Sequence, residues 1–373
     1  MLLEKFFAFI GEEVIDEEEE SFILFSRNIP SANLGFVDSR STTVDVTIHG
    51  RDFSIRQSPT LLSSTRAGGT TGAVLWKITP NFAEWISSKS NNPLWEYSIL
   101  KSSATIVELG CGISGLVALT LAPLVTRYIV TDQEYVRKLL MENLETNGPT
   151  AVESHHRHDL PSSHQRKKQR KSHQISPSTQ LARTRGKHAP TDGNDIPTAP
   201  ANITFTTLDW ELDAPRMLKN AVNQTKTRSK AKEHRHAIGQ DSMEGVDEGE
   251  ENDLGFDLLI SCDCIYNEAL VPPFVRTCVD ICRLRPAYDP SICLSPPPSG
   301  TTKLPQESST ATVVLIAQQQ RSPEVFETWL REALRDFHVW RLKDEVLGKG
   351  LMAGTGYVVH AMVLRRQTER KVD

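Results

Sequence analysis

Two rhythms of apolar and polar residues run along this chain. Residues Thr43–Ile48 and 53–57 alternate in polarity on either side of His49-Gly50-Arg51-Asp52, the pattern of a β-hairpin. Beyond residue 100, short apolar runs take turns with helix-period segments. Thr105–Leu109 reads as a strand, followed by a glycine-rich turn and an apolar helix over 116–124. A second strand, 128–131, ends at Asp132, and a helix over 136–147 places Leu139, Leu140 and Leu144 on one face. Residues 203–208 form a third strand and 256–261 a fourth, which a helix around 273–283 follows. Residues 313–318 form a fifth strand, and a helix over 323–337 opens with Ser322 as N-cap and Pro323 at its first position. Residues 339–342 and Tyr357–Leu364 are two closing strands with no helix between them. Upstream, Pro80 marks a kink or a new helix start.

Strands alternating with helices predict an α/β fold, a largely parallel sheet covered on both faces. The helix-free ending predicts an antiparallel closing pair, with Gly348, Gly350, Gly354 and Gly356 in and around its connection. Three stretches break the pattern: 149–200, 215–253 and 284–310 hold few large apolar residues and read as disordered insertions. The division expected is an N-terminal β-containing extension over 1–67, one domain over 68–365 carrying these insertions, and a tail over 366–373.

Composition narrows the class. Hydrophobic residues make up 38% and charged residues 24%, which suits a soluble protein, and no apolar run is long enough for a transmembrane helix. The start, with the acidic run 17–20, lacks the basic-then-apolar order of a secretory signal. Six scattered cysteines make no disulfide framework, so a reducing compartment is expected, the cytoplasm first and the nucleus second. The net charge of −5 gives no electrostatic case for a nucleic-acid partner. Oligomeric state leaves no mark in the sequence.

The candidate chemistry begins at Glu108-Leu109-Gly110-Cys111-Gly112-Ile113-Ser114-Gly115, between a strand and a helix. Glycines there let a ligand approach the backbone, and the helix start offers unpaired N–H groups. Asp132, 22 residues after Gly110, ends the second strand, where an acid can accept both hydroxyls of a ribose. Ligands in such folds lie beyond the carboxyl ends of the strands, where strand order reverses. Gly110, Gly112 and Gly115 also fit the nicotinamide-dinucleotide fingerprint. Against that, Glu108 suits a cation such as S-adenosylmethionine better than a pyrophosphate, and the antiparallel ending departs from an all-parallel sheet. A tight turn with no ligand is the third possibility.

Further motifs sit near this turn: Gly72-Ala73-Val74-Leu75-Trp76-Lys77 before the first strand, Asp209-Trp210 after the third, and Cys262-Asp263-Cys264-Ile265-Tyr266 after the fourth. With the glycine turn, they resemble the seven-strand protein-lysine methyltransferases that carry an Asp-x-x-Tyr signature, and within them the fungal enzymes that act on ribosomal proteins. The resemblance covers roughly 68–148, 201–214, 255–283 and 311–365. It implies a Rossmann-like sheet, S-adenosylmethionine as cofactor, and a large-subunit ribosomal protein of the L1 type as acceptor. A methyltransferase for another protein or a small molecule, and a non-catalytic scaffold, are the competing classes.

Each residue also has a physical reading. The Trp76 face favours a sulfonium cation, or covers the sheet. The resemblance puts Trp210 at the adenine pocket, with a core tryptophan as the alternative. Asp209 accepts from the adenine amine or caps the turn, and the small Cys262 lets its backbone pass under the adenosine. Cofactor binding is therefore expected from Trp76, Glu108, Gly110, Cys111, Gly112, Asp132, Asp209, Trp210 and Cys262. The catalytic pair is Asp263, which holds the acceptor amine, and Tyr266, which walls its channel. A charged lysine has no lone pair to attack with, and a partly desolvated channel favours the neutral amine. No C-x-x-C pair supports a metal site, the histidines at 155–173 lie in a low-complexity stretch, and the basic run 166–171 reads as a solvated loop.

Overall fold

The computed structural model describes residues 2–28, 35–66, 69–148, 200–213, 215, 218, 255–288 and 311–366. The chain opens with helix α1 (Leu2–Ile10), strand β1 (Glu13–Val14) and helix α2 (Glu17–Phe25). The hairpin β2 (Thr43–Ile48) and β3 (Arg51–Arg56) follows, then α3 (Pro59–Leu62), α4 (Ile78–Ser87) and α5 (Pro93–Glu96). The alternating region is β4 (Thr105–Leu109), α6 (Leu116–Leu121), β5 (Arg127–Asp132), α7 (Arg137–Thr146), β6 (Ile203–Thr207), β7 (Leu258–Cys262), α8 (Val271–Cys282), β8 (Val313–Gln319), α9 (Pro323–Asp336), β9 (Phe337–Arg341) and β10 (Tyr357–Leu364).

The main sheet runs β1-β9-β10-β8-β7-β4-β5-β6. Strands β8, β7, β4, β5 and β6 are mutually parallel. Strand β10 inserts between β8 and β9, antiparallel to both, as the helix-free ending implied. This is the Rossmann-like α/β sheet that the resemblance implies, with one addition. Strand β1 pairs antiparallel with β9 and makes an eighth strand from the N-terminal segment.

Alternate residues of the central strands feed two cores. Ile106, Tyr128, Val130, Leu258, Ile260, Leu315 and Val359 point to one face, covered by α1, α4, α6, α7 and the hairpin. Val107, Leu109, Ile129, Leu259, Val314, Ile316 and Met362 point to the other, under α2, α8 and α9. Both faces are buried, so these strands read as nearly continuous apolar runs.

Helix α2 grows out of the acidic run. Asp16 caps it by accepting the Glu19 N–H at 2.8 Å, and acids in a first helical turn meet the positive end of the helix dipole. Glu20 is buried, accepts from Arg341 at 2.7 Å, and shares a hydrogen bond with His360 at 3.1 Å. Those contacts tie the N-terminal segment to β9 and β10. Pro80 does not start the helix: α4 begins two residues earlier, so Pro80 lies in its first turn, where a missing N–H costs nothing.

The hairpin is held by α7 through two asparagines one helical turn apart. Asn143 accepts the Arg56 N–H at 2.8 Å and donates to the Arg56 carbonyl at 2.8 Å. Asn147 does the same for Ser54, at 2.8 and 2.9 Å. Their amides stand in for a neighbouring strand along the β3 edge.

The stretches 149–200, 215–253 and 284–310 lie outside the described residues except for Pro200, Pro215, Leu218 and 284–288. At 284–288 the chain is packed: Arg285 pairs with Asp257 at 3.1 Å, and Tyr288 bridges to Arg365. Among the described residues no helix is long and apolar enough to cross a membrane.

Candidate functional site

Sheet register gathers the motifs. Leu109 stands beside Thr131 on one side and Ser261 on the other, so β4, β5 and β7 end at one level. Chain order reverses here: β5 and β6 extend the sheet one way from β4, and β7 and β8 the other. A crevice beyond the carboxyl ends is the expected ligand position in such a sheet. A cleft of about 940 Å3, open mouth included, opens there, lined by Trp76, Glu108, Gly110, Cys111, Gly112, Asp132, Asp209, Trp210, Cys262, Asp263 and Tyr266. Every residue expected to bind the cofactor or to form the catalytic pair thus borders one cavity.

The glycines form its floor. Gly110 has φ +67, and a Cβ there would overlap Cys264 Sγ and lie 3.4 Å from the Trp210 ring. Gly112 has φ +60, and its Cβ would come within 3.2 Å of the Gly72 carbonyl. That carbonyl accepts the Ile113 N–H at 2.9 Å, which lays the 70–76 segment across the turn. A side chain at either glycine would press on the protein's own atoms, so the turn passes this close to Cys264 and Gly72 because both positions are glycine.

Two carboxyls, Glu108 buried and Asp132 partly buried, flank this floor. Glu108 lies inside the sheet and accepts the Tyr128 hydroxyl proton at 2.8 Å. Burial pushes its carboxyl up to about 7, with the Tyr128 hydrogen bond opposing and the nearby Asp132 adding to the rise. Asp132 accepts the Gly112 N–H at 2.8 Å on one oxygen and the Gln133 N–H at 2.7 Å on the other. Burial raises it to about 6 against those two bonds. Each Asp132 oxygen retains one lone pair, enough for the two hydroxyls of a ribose. Paired acids held above their ordinary range are poised for a cationic ligand, whose charge offsets their desolvation.

At the β6 end, Trp210 meets Phe274 edge to face at 5.0 Å between ring centres. Its Nε1 is buried and has no hydrogen-bond partner among the described residues. Asp209 acts as a local cap, accepting the Glu211 N–H at 2.9 Å. Cys111 and Cys264 are buried, and Cys264 Sγ reaches the Leu109 carbonyl at 3.4 Å. Burial raises the thiols of Cys111, Cys262 and Cys264, so all three stay protonated.

The β7 end carries the mouth. Asp263 has φ +63, unusual for a residue with a side chain. Its N–H donates to the Ala317 carbonyl at 2.7 Å. Both carboxylate oxygens receive a fork from Arg321, at 2.6 and 2.5 Å, and Gln319 N–H adds a bond at 3.2 Å. The Arg321 guanidinium also lies 4.6 Å from the Trp76 ring centre, so the protein supplies a cation of its own to that face. Trp76 is fixed from behind by its Nε1 bond to the Thr71 carbonyl at 3.0 Å and by the Phe36 ring at 4.4 Å. Tyr266 is 38% exposed at the rim, and its hydroxyl accepts from Thr71 at 3.1 Å.

Comparison with known proteins finds similarity over part of the chain. Residues 55–172 match the lysine methyltransferase family. The matched segment contains Trp76, the glycine turn and Asp132; Asp209, Trp210 and the 262–266 motif lie beyond it. A Schizosaccharomyces pombe protein named diaminohydroxyphosphoribosylamino-pyrimidine deaminase is 36% identical over 139 residues, 37% of this chain and 33% of that protein. A Zygosaccharomyces rouxii protein named ribosomal lysine N-methyltransferase 5 is 43% identical over 108 residues, 26% of this chain and 34% of that protein. Its Candida glabrata namesake is 27% identical over 248 residues, 60% of this chain and 59% of that protein. The chain therefore spans between about a third and three fifths of the length of these curated relatives.

The lysine methyltransferase resemblance was legible in motifs, but Thr71, Thr79, Gln133, Tyr135 and Leu208 border the cleft outside them, and Gly72, Ser114 and Cys264 border it inside them without a role read from the sequence. Cys264 stands inside the Asp-x-x-Tyr motif, and its role under Gly110 depends on a contact between strands. Arg321 lies two residues after the end of β8, and the rule that ligands gather at carboxyl ends of strands would have drawn attention to it.

Proposed function

We propose that this chain is an S-adenosylmethionine-dependent protein-lysine N-methyltransferase, with a large-subunit ribosomal protein of the L1 type as acceptor. The observation that carries this reading is one cavity holding a glycine floor, the Glu108 and Asp132 carboxyls and, at its mouth, the Asp263–Tyr266 motif. The names of the Zygosaccharomyces and Candida relatives support the choice of a ribosomal acceptor.

The residues present fit such a cofactor. Asp132 would take the ribose hydroxyls, Trp210 would wall the adenine end, and Gly110, Cys111 and Gly112 would let the nucleoside lie on backbone. Glu108 would face the cationic end. When bound, S-adenosylmethionine supplies a methyl group whose bond to sulfur breaks as an amine lone pair forms the new C–N bond, leaving a neutral thioether. Such a displacement needs alignment above all. Asp263 Oδ1 already accepts two hydrogen bonds and Oδ2 one, so one lone pair remains on Oδ2 to orient an incoming amine. Tyr266 and Trp76 would flank the side chain that carries it.

Incubating the full chain with tritiated S-adenosylmethionine and washed large ribosomal subunits tests this. The expected result is one labelled protein band with methyllysine after hydrolysis, lost in Asp263→Ala. Label confined to RNA or small metabolites would reject the assignment.

A further inference from the structure

Arg321 touches two residues that line the cleft, Asp263 and Trp76, and belongs to none of the sequence motifs. Its fork on Asp263 is close to ideal, with the Asp263 side chain 2% and the Arg321 side chain 24% exposed. The backbone beneath it is anchored, because the next residue, Ser322, caps α9 by accepting the Val325 N–H at 3.3 Å. Removing one partner from a pair this buried leaves an uncompensated charge, so a substrate ammonium does not displace Arg321 cheaply. An amine entering the cavity meets the pair intact.

Resting on the lysine-methyltransferase reading, we infer that Arg321 is a positioning residue that cancels the Asp263 charge, so that the acceptor lysine sheds its proton at the mouth. An unpaired carboxylate at Asp263 would hold lysine as the ammonium and raise its pKa, by roughly one to three units for a charge within a few ångströms. Other ionisable groups bear on the same spot. Glu108 of β4 and Asp132 after the glycine floor act in the same direction as Asp263 when ionised. Tyr135, Tyr266, Cys262, Cys264 and, from β10, Tyr357 are neutral near pH 8, because burial raises each of them. Arg321 is thus the cation paired with Asp263 that opposes these acids, while Arg66, the other cation against the cleft wall, lies over Tyr135 at 4.3 Å and bonds Gln133 at 3.4 Å. The proton leaves to solvent past the exposed edge of Tyr266, and the nitrogen lone pair is freed for the methyl carbon. The same fork holds Asp263 in its left-handed backbone conformation, leaving the single Oδ2 lone pair aimed at the amine.

The test is kcat against pH, which reports ionisations in the bound complex, for the full chain acting on washed large ribosomal subunits. In Arg321→Gln the midpoint of the rise is expected to move up by about one unit or more, with activity at pH 7.5 at least tenfold down and recovering at high pH. Arg321→Lys keeps the charge and is expected to keep the wild-type midpoint at a lower plateau. Asp263→Asn/Arg321→Gln removes both charges and is expected to return the midpoint toward wild type. Calorimetric binding of S-adenosylhomocysteine should stay within about threefold in every variant, separating this effect from cofactor loss. A uniform loss at every pH in Arg321→Gln, or an equal shift in Arg321→Lys, overturns the inference. If Arg321→Gln does not fold, a shifted midpoint in either of the other two variants overturns it. Wild-type protein that transfers no methyl group sinks the functional reading and this one together; wild-type transfer with an unshifted variant profile sinks this one alone.

Discussion

Asp132 closes the glycine turn by accepting the Gly112 N–H over 2.8 Å, joining the end of β5 to the floor at the end of β4. The bond leaves one lone pair on that oxygen facing the cleft. Asp132→Ala should therefore weaken S-adenosylhomocysteine at least tenfold, about the cost of one or two hydrogen bonds to a charged acceptor. Asp132→Asn, which cannot accept at both atoms, should fall between. Calorimetry measures both, and an unchanged dissociation constant in Asp132→Ala would remove the ribose from this place.

Glu108 gives a pH prediction with a definite sign. Its folded pKa, about 7, stands above the ordinary 4.5. Its contribution to stability is therefore complete below about pH 4.5 and is lost as pH rises through 7. Asp132, raised to about 6, acts the same way over a lower window. Ligand-free protein should melt progressively lower between pH 5 and pH 8, and Glu108→Gln should flatten the upper part of that fall. Binding of a sulfonium favours the ionised acids, so wild-type affinity for S-adenosylmethionine should rise over the same range. Thermal melts and calorimetry across pH check the two halves separately.

Asn143 joins three segments, donating to the carbonyls of Arg56 and Ile113 and accepting the Arg56 N–H, each at 2.8 Å. It is fully buried, so truncation leaves those backbone groups without partners. Asn143→Ala should cost about 2–4 kcal/mol. Urea unfolding would read this as a lower midpoint at unchanged slope, and a loss under about 0.5 kcal/mol would contradict the bridging role.

Gly110→Ala tests the floor directly. The added methyl meets Cys264 Sγ, and φ +67 strains any residue with a Cβ. The variant should fold less stably and gain no thermal shift from S-adenosylhomocysteine. Combining it with Cys264→Gly should restore part of that shift, because the overlap is gone while the backbone strain remains. A single variant that binds as well as wild type would show that the floor tolerates bulk.

Much of this protein was legible along the chain because the signals are local. The strand–glycine–helix order around Gly110, the acid ending β5 and the Asp-x-x-Tyr spacing each lie within a few residues. The central strands read clearly because both faces of a parallel sheet are buried and their residues are apolar throughout. The short β1 strand and helix α2 were not legible. Two residues carry no periodicity, and Glu17–Phe25 shows no apolar stripe until α9, β9 and β10 supply its partners.

The sequence by itself determined the α/β alternation, the antiparallel ending and the residues around the cleft, since strand ends converge wherever strands are parallel and in register. Only tertiary structure decided that Asp263 is paired and with what. Arg321 lies 58 residues along the chain from it, and a bidentate fork depends on the relative height of β7 and β8, which no local pattern encodes. The same holds for the burial that raises Glu108 and Asp132. A carboxyl pKa reports the dielectric around it, and that exists only once the sheet and its two layers have closed.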